Sequence, residues 1–458
     1  MTDVAMSLLS VICGSLGESE PIANVVLSRG ASLPSVFAVS DLAQASVGAA
    51  GRALSSFVAA EAGMRPTVHV DRELASAWFG SSIRPVGWEL PPAWDSVAGD
   101  YVTIDGWIRL HTNAPRHRAA ALTVLGVPED RSSVAGAVAG WQAEELEAAV
   151  VAAGGAAAAL RSLEGWSRHP QGRAVAREPL LYAEPTSSFT GPVHARWSPE
   201  RPLAGVRVLD LTRVLAGPVA TRLLAGWGAD VLRIDPPDWD EPAIAPEVTL
   251  GKHCARLDLR SSAGKEHVLD LLRSADVLVH GYRPDALEGL GLGDAVCDAH
   301  RPGLIDVSLD AYGWSGQWRT RRGFDSLIQM STGIADAGRK AAGTDAPVPL
   351  PVQALDHATG YLLAAAAITG LTRRLTDGLG SRWRASLART ACLLVDAGMD
   401  GEGDHEGRAG RPITGVGPVE RTVWGEAYRI PAPIEVEGTR LHWSAAARPL
   451  GSDSPCWQ

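Results

Sequence analysis

Lysine is nearly absent from this 458-residue chain: it occurs three times, at Lys252, Lys265 and Lys340, and arginine supplies the remaining positive charge. A polyanionic ligand would therefore meet mainly guanidinium groups, which pair two-pronged with phosphate and carboxylate. Basic charge is in the minority, with 42 Lys and Arg against 52 Asp and Glu and a formal net charge of -10. That balance excludes the basic footprint of a nucleic-acid binder. Cysteine is sparse as well. Cys13, Cys254, Cys297, Cys392 and Cys456 are scattered, with no Cys-x-x-Cys pair and no clustered Cys/His spacing, so no metal site is expected. A reducing cytoplasm is the expected location. No apolar run approaches the ~20 residues that span a bilayer, which argues against a membrane protein. The first twenty residues carry Asp3 and no basic residue ahead of their short apolar run, unlike a secretory signal.

What is present is enough apolar residue, 46%, for at least one large core, and the length suggests two to four domains. From residue 203 the texture is regular. "GVRVLDLTRVLAGPVATRLLAGWGADVLRIDPP" gives a buried strand, a turn, a helix entered through Gly217-Pro218 and a second strand, and the alternation continues through "DVLVHGY" and "GLIDVSLDAY". Such alternation predicts a doubly wound, Rossmann-like parallel sheet. Its first turn, "TRVLAGP", lacks Gly-x-Gly-x-x-Gly, so no nicotinamide or flavin dinucleotide is indicated. Upstream, "YVTIDGWIRLHTN" reads as two strands joined at Asp105-Gly106, followed by helices, so residues 98–182 are expected to form a small α/β domain. Residues 183–202 are rich in Pro, Ser and Thr without helical periodicity and read as a linker.

A repeat ties the two ends together. Laying "SDLAQASVGAAGRALSSFVAAEAG" over "LDHATGYLLAAAAITGLTRRLTDG" without a gap places Asp41 on Asp356, and further on Asp71 on Ser386, both at an offset of 315 residues. Each copy reads as an acid, a long Ala-rich helix, a glycine break, then arginine and a short strand. An internal duplication is expected, with residues 1–97 a degenerate counterpart of residues 353–398.

Asp356 itself has two readings. In front of a helix expected from about His357 to Leu375, with Arg373 and Arg374 at its negative end, an aspartate caps the first-turn amides. Those amides also favour the ionised form, and an ionised carboxylate is a nucleophile. Asp41 reads as a relic or an ordinary cap.

Taken in order, "LAGVRVLDLTRVLAGPVATRLLAGWGADVLRIDPP", "GKHCARLDLRSSAGKEHVLDLLRSADVLVHGYRPDALEGLGL", "GLIDVSLDAYGWSGQWRTRRGFDSLIQMSTG" and "LDHATG" resemble the class III CoA-transferases, the group that includes formyl-CoA transferase, carnitine CoA-transferase and α-methylacyl-CoA racemase. The resemblance covers residues 203–392. It implies that Asp356 is the nucleophile, forming first a mixed anhydride and then an aspartyl-CoA thioester, and that CoA moves between an acyl-CoA and a carboxylic acid. Coenzyme A is then a substrate and no cofactor is tightly bound. The resemblance places Val214, Leu215, Ala216, Arg233, Lys252, Tyr282, Arg283 and Arg322 at the CoA contacts and Phe324 at the substrate. It also implies a homodimer.

The departures matter. Gly281 to Asp285 reads Gly-Tyr-Arg-Pro-Asp where the family commonly has Asn-Phe-Arg-Pro-Gly, and Gly289 replaces a usual basic residue. Leu215 replaces the Gln of formyl-CoA transferases, and Phe324 replaces the acid/base histidine of the racemases, which argues against racemisation. Adjacent His357 points about 100° away from Asp356 on a helix and is a poor substitute. The order is rearranged relative to the family: residues 203–352 are expected to form the CoA-binding domain, 353–398 the catalytic helix and strand, and 399–458 a tail. The family's glycine-rich loop has only a weak counterpart at Gly415 and Gly417. An acyl-CoA racemase or epimerase, and a non-catalytic CoA-binding relative, are the alternatives.

Overall fold

In the computed structural model, which describes residues 3–18, 22–189, 197–399, 417 and 419–458, the alternating segments after residue 203 assemble one sheet. Its strands are β1 (Tyr182–Ser188), β2 (Arg207–Leu211), β3 (Asp230–Asp235), β4 (His253–Arg256), β5 (Val277–His280), β6 (Ile305–Asp310) and β7 (Leu379–Ser386), in the spatial order β4-β3-β2-β5-β6-β7-β1. All neighbours are parallel except β7 and β1. Strands covered on both faces need apolar residues on both, and Val208, Leu209, Val231, Leu232, Val277 and Val307 are all buried. The winding runs from β2 outward to β4, then crosses back to place β5 on the other side of β2. A crevice opens at such a reversal, beyond the carboxyl ends of the two diverging strands.

Two expected boundaries are corrected. Residues 182–188, read largely as the start of a linker, form the antiparallel edge strand β1, with Glu184 opposite Arg382 and Ala183 opposite Trp383. A Pro- and Thr-containing stretch without helical period fits an edge strand as well as a linker, because an edge tolerates the missing amide of Pro185. Likewise β7 pairs with β6, so residues 353–398 complete the same sheet as residues 203–352.

Outside that sheet, strands Gly99–Val102, Trp107–Leu110 and Ala157–Ala159 form a three-stranded sheet with its own core, including Tyr101, Ile108, Leu146 and Val150. Two further three-stranded sheets each draw strands from both ends of the chain. Val68–Val70 is the middle strand of one, pairing with Val25–Leu27 on one side and Ile434–Val436 on the other, and Ile83–Pro85 pairs with the hairpin of Val419–Thr422 and Gly425–Arg429 through its second strand.

The two long helices correspond residue for residue. Val39–Ala62 and Ala354–Asp377 are each 24 residues, and each stops at a left-handed glycine, Gly63 (φ 74°) and Gly378 (φ 70°). Asp71 then caps the amide of Leu74, and Ser386 that of Arg389. Every one of these pairs is separated by the same 315 residues. The two helices lie against each other, and the small side chains of Ala364 to Ala367 are fully buried. No helix among the described residues is long and apolar enough to cross a membrane.

Candidate active site

Asp356 lies at the floor of a cavity of about 300 Å³ at the β2/β5 reversal. Its residue is 6% exposed. The helix begins at Ala354, so Asp356 is its third residue and not its cap, and Gln353 in the cap position makes no side-chain bond. The cap comes from elsewhere. One carboxylate oxygen of Asp325 accepts from the amides of both Leu355 and Asp356, at 2.9 Å each, while the other accepts from Gln329. Gln329 in turn accepts from the amide of Leu350 at 2.7 Å. The amides expected to hold Asp356 ionised are therefore satisfied by Asp325. Burial, reinforced by the Asp325 charge, pushes the Asp356 carboxyl well above its ordinary range, and burial raises Asp325 to about 6. The expectation of an ionised resting Asp356 is corrected accordingly: two buried carboxyls in contact with one helix start do not both carry charge readily.

Gly360 explains the spacing of "DHATG". A Cβ there would lie 2.5 Å from the carbonyl oxygen of Ala216 and 2.9 Å from Cβ of Val219. Asp356 and Gly360, one helical turn apart, share a face, and the bare glycine lets the helix Ala216–Gly226 approach until the preceding turn meets Asp356. In that turn Val214 has φ 66°, the one positive φ at a non-glycine residue among the described residues. A β-branched residue resists this conformation, so it must be held.

Arg233 and Lys252, which the resemblance places at CoA, do the holding and do not line the cavity. Both are fully buried. The Arg233 guanidinium binds Asp235 through two hydrogen bonds of 2.9 Å and Glu241 at 2.6 Å, and Glu241 accepts from the amide of Val214. Lys252 donates to Asp210 at 3.0 Å, to Thr221 at 2.6 Å and to the carbonyl of Pro218 at 2.9 Å. Each is tied to buried carboxylates and lines neither cavity, so neither is placed to meet a phosphate there.

The other residues singled out by the resemblance do meet. Val214, Leu215, Ala216, Tyr282, Arg283, Arg322 and Phe324 line the Asp356 cavity. Sequence reasoning missed several that join them. Arg116 and His117 arrive from the small N-terminal sheet module, where the only signal was "PRHR" at a helix start. Arg213, the second residue of the quoted turn, sits between the rings of Trp239 and Tyr282 at 5.3 and 5.2 Å, covering one face of Tyr282. Asp310, at the end of β6, is pushed well up by burial. Phe324 stacks on His111, with centroids 3.7 Å apart, and meets His117 edge-on. Burial and nearby Arg116 and Arg322 lower His117 to about 4, so its ring is neutral near pH 7. His357 faces away from the cavity, stacked on Phe79.

A second cavity of about 520 Å³ continues over the ends of β3 and β4, lined by Arg116, Arg213, Trp239, Arg260, Tyr282 and several aspartates. Asp41, the third residue of helix Val39–Ala62, makes a two-pronged ion pair with Arg72 at 2.8 and 2.9 Å. Leu387 stands where Arg72 would fall in the other copy. Gly415 lies outside the described residues, and the amide of Gly417 donates to the carbonyl of Arg429. No cluster able to hold a metal ion is found among the described residues.

Comparison with known proteins gives a consistent grouping. Residues 203–420 match the model of CoA-transferase family III. The chain is 34% identical over 210 residues to an acetyl-coenzyme A transferase of Hypoxylon pulicicidum, covering 44% of this chain and 35% of that one. It is 32% identical over 216 residues to a probable fatty acyl-CoA transferase of Mycobacterium tuberculosis, covering 44% and 53%. It is 32% identical over 220 residues to the succinyl-CoA:glutarate CoA-transferase of Mus musculus, covering 45% and 50%. The chain thus spans between about a third and about half of the length of these curated relatives. A crystal structure of the Mycobacterium tuberculosis protein aligns with 28% identity over 43% of this chain and 59% of that chain, with a TM-score of 0.40.

Proposed function

Because the chain belongs to CoA-transferase family III through residues 203–420, we propose that it moves coenzyme A from an acyl-CoA to a carboxylic acid with Asp356 as the covalent nucleophile. One Asp356 oxygen attacks the thioester carbonyl, the carbon–sulfur bond breaks, and a mixed anhydride and CoA thiolate result. The thiolate attacks the aspartyl carbonyl, releasing the first acid as its carboxylate and leaving an aspartyl-CoA thioester. An acceptor carboxylate attacks that thioester, and the returning thiolate attacks the acceptor carbonyl of the new anhydride. This yields the new acyl-CoA and restores the Asp356 carboxylate.

The observation that carries the reading is the position of Asp356. It stands at a helix start, at the floor of the cavity formed where the sheet winding reverses, facing the strained Val214–Ala216 turn. The outer cavity, with Arg116, Arg213, Arg260 and Tyr282, supplies guanidinium groups and aromatic surface for a nucleotide and its phosphates. Asp325 acts as a positioning residue that fixes the helix start and tunes the nucleophile's proton.

Incubation with an acyl-CoA, quenching with hydroxylamine and intact mass spectrometry test the reading. The expected outcome is a hydroxamate localised to Asp356, absent in Asp356→Ala. Turnover that persists in Asp356→Ala would refute it.

A further inference from the structure

We propose that His117 is a second catalytic residue, whose imidazole N–H donates a hydrogen bond to the carbonyl oxygen of the acyl group while Asp356 attacks it. This rests on the CoA-transferase reading and adds a donor for the charge that the attack creates.

When an ionised Asp356 oxygen adds to the thioester carbon, the carbonyl π pair moves onto its oxygen. The oxyanion returns that pair as the carbon–sulfur bond breaks and the thiolate leaves. A fixed donor at that oxygen stabilises the adduct more than it stabilises the bound thioester, so it speeds the step itself. His117 keeps its proton throughout.

Other donors on the cavity wall have partners in the protein. Thr212 donates to Asp210, Arg321 to Glu147 and the carbonyl of Ala157, and Arg283 to the carbonyl of Thr320. Arg213 is held between the rings of Trp239 and Tyr282, and Arg322 lies in the field of Asp285. His117 differs. It is 3% exposed, it lines the cavity, and both of its ring nitrogens lack a hydrogen-bond partner among the described residues. A buried polar ring left incomplete in this way costs stability, and it calls for a ligand that completes it.

A short chain of contacts links the ring to the nucleophile. Phe324 meets His117 edge-on with centroids 5.9 Å apart, and the next residue, Asp325, accepts from the amide of Asp356 at 2.9 Å. His117 and Asp356 border the same space of about 300 Å³, which the acyl group must enter to be attacked. The ring is also kept neutral. His117 is the third residue of helix Pro115–Leu125, whose positive end opposes an imidazolium, and burial together with Arg116 and Arg322 lowers it to about 4. A neutral imidazole offers one N–H at either nitrogen, so its tautomer can follow the substrate oxygen.

The full chain is treated with acetyl-, butyryl- and succinyl-CoA in hydroxylamine, and the thioester that modifies Asp356 fastest is followed. His117→Leu should lower the saturating rate by about 10²- to 10³-fold, the cost of one lost oxyanion donor. The half-saturating concentration should stay within about 3-fold, since the bond strengthens only as charge develops. Tm of His117→Leu should equal or exceed that of the unaltered chain, because leucine fills the space and removes an unpaired buried polar ring. A histidine with a merely structural role would lower Tm on the same change. His117→Gln, which restores an N–H, should recover at least about 10-fold of the lost rate. In Asp356→Ala, which cannot react, the infrared band of a bound isotope-labelled thioester carbonyl should lie at lower frequency than in the Asp356→Ala, His117→Leu double variant. An undiminished rate in His117→Leu, a loss confined to the half-saturating concentration, failure of that variant to fold, or an unmoved carbonyl band would each overturn the inference. No modification of Asp356 in the unaltered chain by any of the three thioesters sinks the transferase reading beneath it instead.

Discussion

Asp325 and Asp356 occupy a buried corner in which one charge opposes a second, and this sets the pH behaviour of the site. Since the Asp325 carboxylate helps raise Asp356, Asp325→Asn removes the repulsion, and the acidic limb of the kcat/KM profile should move to lower pH. A merely structural role for Asp325 would lower the rate at every pH without moving the limb. The same coupling predicts a stability effect. A carboxyl whose folded-state value is raised favours the protonated protein, so the associated stability is complete below the unfolded value near 4 and is lost as pH climbs through the folded value. Asp356→Asn, which cannot ionise, should therefore be more stable than the unaltered chain at pH 7, while inactive. Thermal unfolding at pH 4 and pH 7 checks this, with the two proteins converging at the lower pH. Arg233 belongs at this scale too. Arg233→Met should release Glu241 and with it the strained Val214, costing about 3 kcal/mol or more from stranded buried carboxylates and lowering kcat. At residue scale the sequence made Asp356 visible because family-like spacing surrounds it. It concealed Asp325, whose role depends on a cap made across 30 residues of chain.

The element that positions Asp356, the proposed nucleophile, is the contact between helix Ala354–Asp377 and helix Ala216–Gly226. Gly360 makes the close approach possible, and any side chain there meets the backbone of Ala216. Gly360→Val should force the helices apart, costing about 1–3 kcal/mol as an overpacked core substitution. It should also lower kcat more than Tm alone would suggest, because the Val214–Ala216 turn moves with the helix. Circular dichroism melting and steady-state rates on the same preparation distinguish displacement from unfolding. Strands β2 to β6 were legible as elements, since fully buried parallel strands are written as apolar runs. Strand β1 was not, because an exposed edge strand carries the polar, proline-containing composition of a linker.

Across the whole molecule, the Asp41 helix lies along the Asp356 helix at a constant 315-residue offset, with matched length and matched terminal glycines. We read the pair as a duplicated unit in which one copy kept its open acid and the other closed it with Arg72. Deleting residues 1–97 should uncover the apolar flank of the Asp356 helix, and the expected product is insoluble or lacks cooperative unfolding by calorimetry. By itself the sequence determined the parallel winding, the repeat and the acid at a helix start, because hydrophobic period, turn residues and spacing are local and survive in one dimension. Only the tertiary structure decided which cations face the cavity. Arg233 and Lys252 turned inward to hold a turn, while Arg116 and His117 came in from a module about 240 residues away in sequence. A side chain's use as a contact or a brace depends on which partners satisfy its charge once it is buried, and those partners are assigned only when distant segments pack.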